Sequence, residues 1–146
     1  MNSRPLIKTV MTPFPHSIDV NAPIAEVFEM MGEHEIRHLP VTYEGKLYGM
    51  ISERDARTAS SLAERFQKQI AVRDVCSTDP YKVDLNTSLK IVVGEMAKTR
   101  IGSVVVLKKN KVVGIFTTTD ACAYLSELLS GPDEDPTHTE YRKAHR

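Results

Sequence analysis

Two short motifs carry the residue types that could bind a charged small molecule. They are Ser52-x-x-Asp55 and Thr117-x-x-Asp120, and Asp55 and Asp120 lie 65 residues apart. Each follows a largely apolar run of strand length and opens a stretch of helical spacing, so each falls at a predicted strand-to-helix junction. A helix start offers unpaired N–H groups and the positive end of the helix dipole, which attract anions. A Ser or Thr hydroxyl there can donate to a phosphate oxygen. The carboxylate three residues on has two acceptor oxygens, which suit the paired hydroxyls of a sugar diol. The same spacing is also the capping box, which satisfies the first N–H groups of a helix with no ligand at all. One pair of side chains can serve both ends, and both readings stay open.

Other chemistries lack their residues. The chain has no G-x-x-x-x-G-K-[ST] loop and no G-x-G-x-x-G. His16, His34, His38, His138 and His145 show no paired metal-ligand spacing. His34 and His38 are i, i+4, but Ile36 and Leu39-Pro40 end the helix between them, so no metal site is expected. No nucleophile–base pair is identifiable, and no catalytic residue is assigned. Cys76 and Cys122 form neither a CxxC pair nor a disulfide framework. Both read as small core or near-core residues, and Met30, Met31 and Met96 as core or interface filler.

The elements that position these residues are written twice. Val10, Pro15, Asp19, Asn21, Met31, Ile36, Val41, Lys46, Gly49, Asp55 and Ala56 recur, without a gap, as Val75, Pro80, Asp84, Asn86, Met96, Ile101, Val106, Lys111, Gly114, Asp120 and Ala121. A repeat of this length is one supersecondary unit that buries its apolar face against its copy. Extended runs are predicted over 17–20 and 82–85. Asn21 and Asn86 follow as expected helix N-caps, and Pro23 suits a first turn. Ile24, Val27, Phe28 and Met31, and then Leu89, Val92, Val93 and Met96, carry the i, i+3, i+4, i+7 stripe of a half-buried helix. Strand pairs are predicted over 39–43 and 47–51, and over 104–107 and 112–116, each joined by a short polar turn. The closing helices are expected over 52–69 and 117–129, with Gly131-Pro132 ending the second. The tail, 131–146, reads as solvated and mobile.

The 146 residues suffice for one compact domain or two half-domains sharing a core. Basic and acidic residues balance at 19 each, so a nucleic-acid partner is not expected. No apolar run nears the roughly 20 residues of a membrane span, and residues 1–10 lack a signal-peptide core. A cytoplasmic location is the simplest expectation.

The order loop–strand–helix–strand–strand–helix, doubled in tandem, resembles a cystathionine β-synthase (CBS) domain pair, or Bateman module. The resemblance is carried by Val10-Met11-Thr12-Pro13, Ile36-Arg37-His38-Leu39-Pro40-Val41 and Gly49-Met50-Ile51-Ser52-Glu53-Arg54-Asp55. In the second copy it is carried by Val75-Cys76-Ser77, Ile101-Gly102-Ser103-Val104-Val105-Val106 and Gly114-Ile115-Phe116-Thr117-Thr118-Thr119-Asp120. It spans nearly the whole chain except the tail. The implied fold is α/β (α+β): two CBS repeats, each a small three-stranded sheet packed by helices, related by a pseudo-twofold axis. The expected division is 1–69 with its connecting helix, 70–130, and the tail 131–146.

The resemblance also implies a non-enzymatic sensor that binds an adenosine-containing nucleotide (AMP-, ADP- or ATP-like) between the repeats and signals to a partner. No cofactor is required; the nucleotide is a regulatory ligand. Asp55 and Asp120 would then meet ribose, and Ser52 and Thr117 would help hold phosphate. Arg37 and His38 would supply cations to phosphates, where the alternative is an exposed charge and a partly covered strand start. Arg54 is a secondary phosphate candidate beside its reading as a solvated helix-start charge. Ile18, Lys82 and Val83 stand where the family contacts the base, and Lys82 could instead reach a phosphate. Gly102 and Ser103 replace the charged pair in the second copy, yet allow close backbone approach. The cleft around Asp55 should therefore favour phosphate more than that around Asp120. The alternative is a ligand-independent interaction module with vestigial clefts. Apolar residues left over on the helices, among them Leu62, Phe66, Leu125, Leu128 and Leu129, lead to an expected homodimer joined through helices.

Overall fold

The structure, a computed structural model, describes residues 4–130. The expected tail and His138 and His145 lie outside the described residues. The strands are β1 (Thr12–Pro13), β2 (Ile18–Asp19), β3 (His38–Tyr43), β4 (Lys46–Ser52), β5 (Lys82–Asp84), β6 (Ser103–Lys108) and β7 (Lys111–Thr117). The helices are α1 (Ile24–His34), α2 (Glu53–Phe66), α3 (Leu89–Thr99) and α4 (Thr118–Leu129). The tandem α/β fold expected from the repeat is the fold observed.

The first sheet runs β2-β3-β4, with β2 parallel to β3 and β3 antiparallel to β4. The second contains the matching order β5-β6-β7 and gains a fourth strand, β1, paired antiparallel to β7 through Thr12–Ile115 and Pro13–Gly114. The N-terminal segment therefore adds to the second repeat. Its counterpart does the reverse: Ser77 bridges Met50 of β4, with mutual backbone hydrogen bonds of 2.9 and 3.0 Å. The hairpins β3–β4 and β6–β7 turn through positive-φ pairs, Glu44-Gly45 and Lys109-Asn110. Such a turn has a twist that matches paired strands.

The exchange reaches both cores. Ile7 is fully buried among Leu89, Val92, Met96, Val104, Val106 and Phe116 of the second repeat. Val72, its repeat equivalent, is fully buried among Ile24, Val27, Leu39, Val41 and Ile51 of the first. Boundaries drawn along the sequence at 1–69 and 70–130 are crossed by this packing. Met50, Val105 and Ile115 form a third apolar cluster where the two repeats meet.

Asn21 and Asn86 do not cap α1 and α3. The N-cap positions are Pro23 and Ser88, and neither makes a side-chain cap. The orphan N–H groups are met from the exchanged segments instead. Ile24 N–H donates to the Ile70 carbonyl (3.3 Å), and Leu89 N–H to the Pro5 carbonyl (2.9 Å). The Asn backbones serve a turn, donating to Asp19 Oδ1 and Asp84 Oδ1 at 2.8 Å. Helix α2 ends at Phe66, short of the expected residue 69, with Gln67 left-handed at its C-cap. Cys76 packs against the first core as expected, but Cys122 is exposed; α4 meets the second core through the partly buried Ala121 and Tyr124 instead.

Candidate functional site

The last residue of β4, Ser52, pairs in register with His38 at the start of β3; Thr117 pairs likewise with Ser103. One step outward, Glu53 N–H donates to the Arg37 carbonyl (2.8 Å) and Thr118 N–H to the Gly102 carbonyl (3.0 Å). The sheet register thus brings the residues before β3 and β6 beside the first turns of α2 and α4. Residues 14 and 16 apart in sequence become neighbours through the hairpin.

Both capping boxes are formed. Asp55 N–H donates to Ser52 Oγ (3.1 Å), and Ser52 N–H approaches Asp55 Oδ2 (3.5 Å). At the second junction Asp120 N–H donates to Thr117 Oγ1 (3.3 Å). Asp120 Oδ2 accepts from both Thr117 N–H (2.9 Å) and the Thr117 hydroxyl (3.1 Å). The second junction is the tighter and drier. Burial pushes the Asp120 carboxyl above its ordinary range, against the Thr117 hydrogen bonds and the His38 charge.

Beside the first junction lies an open cleft of about 500 Å³. Arg37, His38 and Ser52 line it from the strand ends, and Glu53, Arg54, Arg57 and Thr58 from the first turns of α2. Four of the sequence candidates, Arg37, His38, Ser52 and Arg54, therefore share one concave surface. Asp55 does not line it; its charge acts on His38 and on Cys76. Arg57 and Thr58 were not foreseen, although Arg54, Arg57 and Thr58 have the i, i+3, i+4 spacing of a single helix face.

His38 sits at the seam. Its Nε2 lies 3.9 Å from the position a Cβ on Gly102 would take, an ordinary contact distance, so the ring reaches the start of the second repeat's β6. Burial holds the imidazole below its ordinary range; Arg37 pushes the same way, while Asp55 and Asp120 oppose. One ring therefore feels the carboxylates of both junctions.

The remaining candidates are more distant from this cleft. Ile18 is buried in the first core, so only its backbone is free for contact. Val83 packs against the second core, Lys82 is exposed on β5, and Ser103 is buried under its strand. His34 stacks on His16 with ring centroids 3.5 Å apart, and His38 lies on the next strand. Among the described residues, no group of three His, Cys, Asp or Glu side chains is placed to hold a metal ion. No helix among them is long and apolar enough to cross a membrane.

Two α/β units sharing exchanged segments, each ending in the same capped strand-to-helix junction, define a tandem-repeat module. The chain belongs to the CBS domain family, which it matches at residues 7–62 and 72–127. It is 29% identical over 114 residues to the CBS domain-containing protein YhcV of Bacillus subtilis, covering 78% of this chain and 81% of that protein. It is 30% identical over 101 residues to hypoxic response protein 1 of Mycobacterium tuberculosis, covering 68% and 70%. Among solved structures it is similar to the CBS domain pair of protein MJ0100 in complex with 5′-methylthioadenosine and S-adenosyl-L-methionine. That match has a TM-score of 0.76 and 25% identity, and covers 86% of this chain and 99% of that one.

Proposed function

We propose that this CBS pair is a non-enzymatic sensor for an adenosine nucleotide. The carrying observation is the arginine-lined cleft beside the capped junction of α2. Ribose would lie on Asp55, beside the cleft rather than in its lining, and phosphate would meet Arg37, Arg54, Arg57, the Ser52 hydroxyl and the helix N-terminus. The similarity to a CBS pair crystallised with two adenosyl ligands supports the ligand class. Signalling is by population shift: a ligand touching both repeats favours one relative arrangement and so alters the surface a regulated partner meets.

Calorimetry against adenosine, AMP, ADP, ATP and S-adenosylmethionine tests this reading. Arg37→Ala should weaken phosphorylated ligands about fivefold, a charge-assisted bond discounted for the exposure of this side chain. Adenosine, which has no phosphate, should lose much less. Asp55→Ala should weaken all of them by about tenfold or more, since the ribose is common to all. Equal losses for nucleotide and nucleoside in Arg37→Ala end its phosphate role. A thermal melt unmoved by every adenosyl compound at millimolar concentration ends the sensor reading.

The closed Thr117–Asp120 pair favours a second reading for its own junction: a structural cap with a vestigial cleft, in a module that works by protein contact.

We also propose a homodimer joined through helices. Leu125, Leu128 and Leu129 of α4, Ile91 of α3, and Leu62 and Phe66 of α2 are exposed large apolar side chains. A groove of about 890 Å³ runs between α1 and α2 over Ile24, Phe28, Ala63 and Ile70. Apolar surface of this kind marks an interface. Sedimentation equilibrium at tens of micromolar protein should give twice the chain mass; a monomer with and without ligand refutes it. A cytoplasmic location accords with two free cysteines.

A further inference from the structure

The cleft beside α2 holds its own anion. Glu53 is the first residue of the helix, where the dipole favours a carboxylate. One of its oxygens pairs with Arg57 Nη2 at 2.5 Å, and the other lies 3.7 Å from Arg37 Nε. The Glu53 side chain is 29% exposed, against 83% and 73% for the two arginines, so the carboxylate is the inner member of the trio. Carboxylate and phosphate present the same forked acceptor edge to a guanidinium. Glu53 therefore occupies Arg57 by a close pair and Arg37 by a longer ion contact, the two guanidiniums a ligand phosphate would draw on.

The second repeat provides the contrast. The positions matching Arg37, Glu53, Arg54 and Arg57 are Gly102, Thr118, Thr119 and Cys122. The resident carboxylate and its arginines are present together in one repeat and absent together from the other. The capping residues, Ser52 with Asp55 and Thr117 with Asp120, are kept in both. Glu53 thus belongs with the anion chemistry of the first cleft and not with helix capping.

We infer that Glu53 is a specificity-determining residue: a built-in counter-ion that a ligand phosphate must displace from Arg37 and Arg57, and that limits how much phosphate charge the cleft accepts. The inference rests on the nucleotide reading of that cleft. Repulsion between carboxylate and ligand grows with ligand charge, so the cost falls least on a monophosphate and most on a triphosphate. Adenosine has nothing to displace.

The test is titration calorimetry of the full chain and of Glu53→Gln with adenosine, AMP and ATP, and with inorganic pyrophosphate in parallel. Glutamine keeps the shape of the side chain and leaves Ser52 and Asp55 in place. The ratio of ATP to adenosine affinity should rise about three- to tenfold in Glu53→Gln, and the ratio of AMP to adenosine by less. Glu53→Asp, which retains the charge, should return both ratios toward their original values, a rescue that a purely structural role would not produce. Unchanged or lower ratios in Glu53→Gln overturn the inference. If neither adenosine nor any nucleotide binds either protein, the nucleotide reading fails by itself and pyrophosphate decides. Tighter pyrophosphate binding by Glu53→Gln sustains the counter-ion role; equal, weaker or absent binding ends it.

Discussion

Gly49→Ala should destabilise the protein by about 3 kcal/mol, and Gly114→Ala, its repeat equivalent, by only about 1 kcal/mol. Both glycines lie in strands crossed closely by an exchanged segment. A Cβ on Gly49 would run into the Ser77 carbonyl oxygen, and that Cβ would stand 3.1 Å from the Ser77 carbonyl carbon and 3.4 Å from Cys76 Sγ. That oxygen is backbone, and it accepts the Met50 N–H at 3.0 Å. Moving it breaks the bridge joining the interrepeat segment to β4. A Cβ on Gly114 would meet Met11 instead: Sδ nearest, then Cγ at 2.9 Å and Cε at 3.1 Å. Those atoms are the far end of an unbranched side chain that can change rotamer. Replacing Gly by Ala within a strand also recovers roughly 0.5–1 kcal/mol of backbone entropy, which offsets part of the smaller clash but not the larger. Urea melts of the two variants decide it. Equal costs, or a larger cost at Gly114, would contradict the packing described.

Ile7→Ala should cost about 2–5 kcal/mol, the range for emptying a fully buried aliphatic site. Ile7 stands in a single 3₁₀ turn near the start of the chain, a position where truncation is ordinarily tolerated. Here its side chain fills the second repeat's core, and its N–H donates to the Thr87 carbonyl at 2.8 Å. The loss should therefore appear in the repeat farther along the chain. Hydrogen exchange should quicken at Leu89 and through α3 more than through α1. Val72→Ala should do the opposite, loosening the first repeat, whose core the Val72 side chain fills. A cost below 1 kcal/mol for Ile7→Ala, or protection lost first in α1, would show that the segments are not exchanged in solution.

The site was partly legible in the sequence. Ser52, Asp55, Thr117 and Asp120 announce themselves because a capping box is local, four residues with a fixed spacing. Arg37 and His38 came from family resemblance, and the hairpin register places both on the cleft. Glu53 and Arg57 escaped notice because an ion pair on a helix face is common and says nothing about a cleft until the neighbouring strand end is in place. The exposed Cys122 escaped for a related reason. A small residue in an apolar helix reads as core, and only the packed structure shows that α4 meets the second core through Ala121 and Tyr124 while Cys122 is exposed.

What the sequence determined alone was the doubled unit, the strand and helix order, the buried stripes Ile24–Val27–Met31 and Leu89–Val92–Met96, and the junctions. These depend on periodicity and on spacings of a few residues, which side-chain identity records directly. The tertiary structure alone decided the exchange of the two leading segments, the capping of α1 and α3 by distant carbonyls, and the placing of His38 within electrostatic reach of both carboxylates. Exchange and capping are made by backbone hydrogen bonds between residues far apart in the chain. Every residue but proline offers the same N–H, and every residue the same carbonyl, so the sequence shows little of where they go. Their one visible trace is Gly49 and Gly114: the Ser77 backbone stands where a Cβ on the first would go, and the Met11 side chain where a Cβ on the second would go.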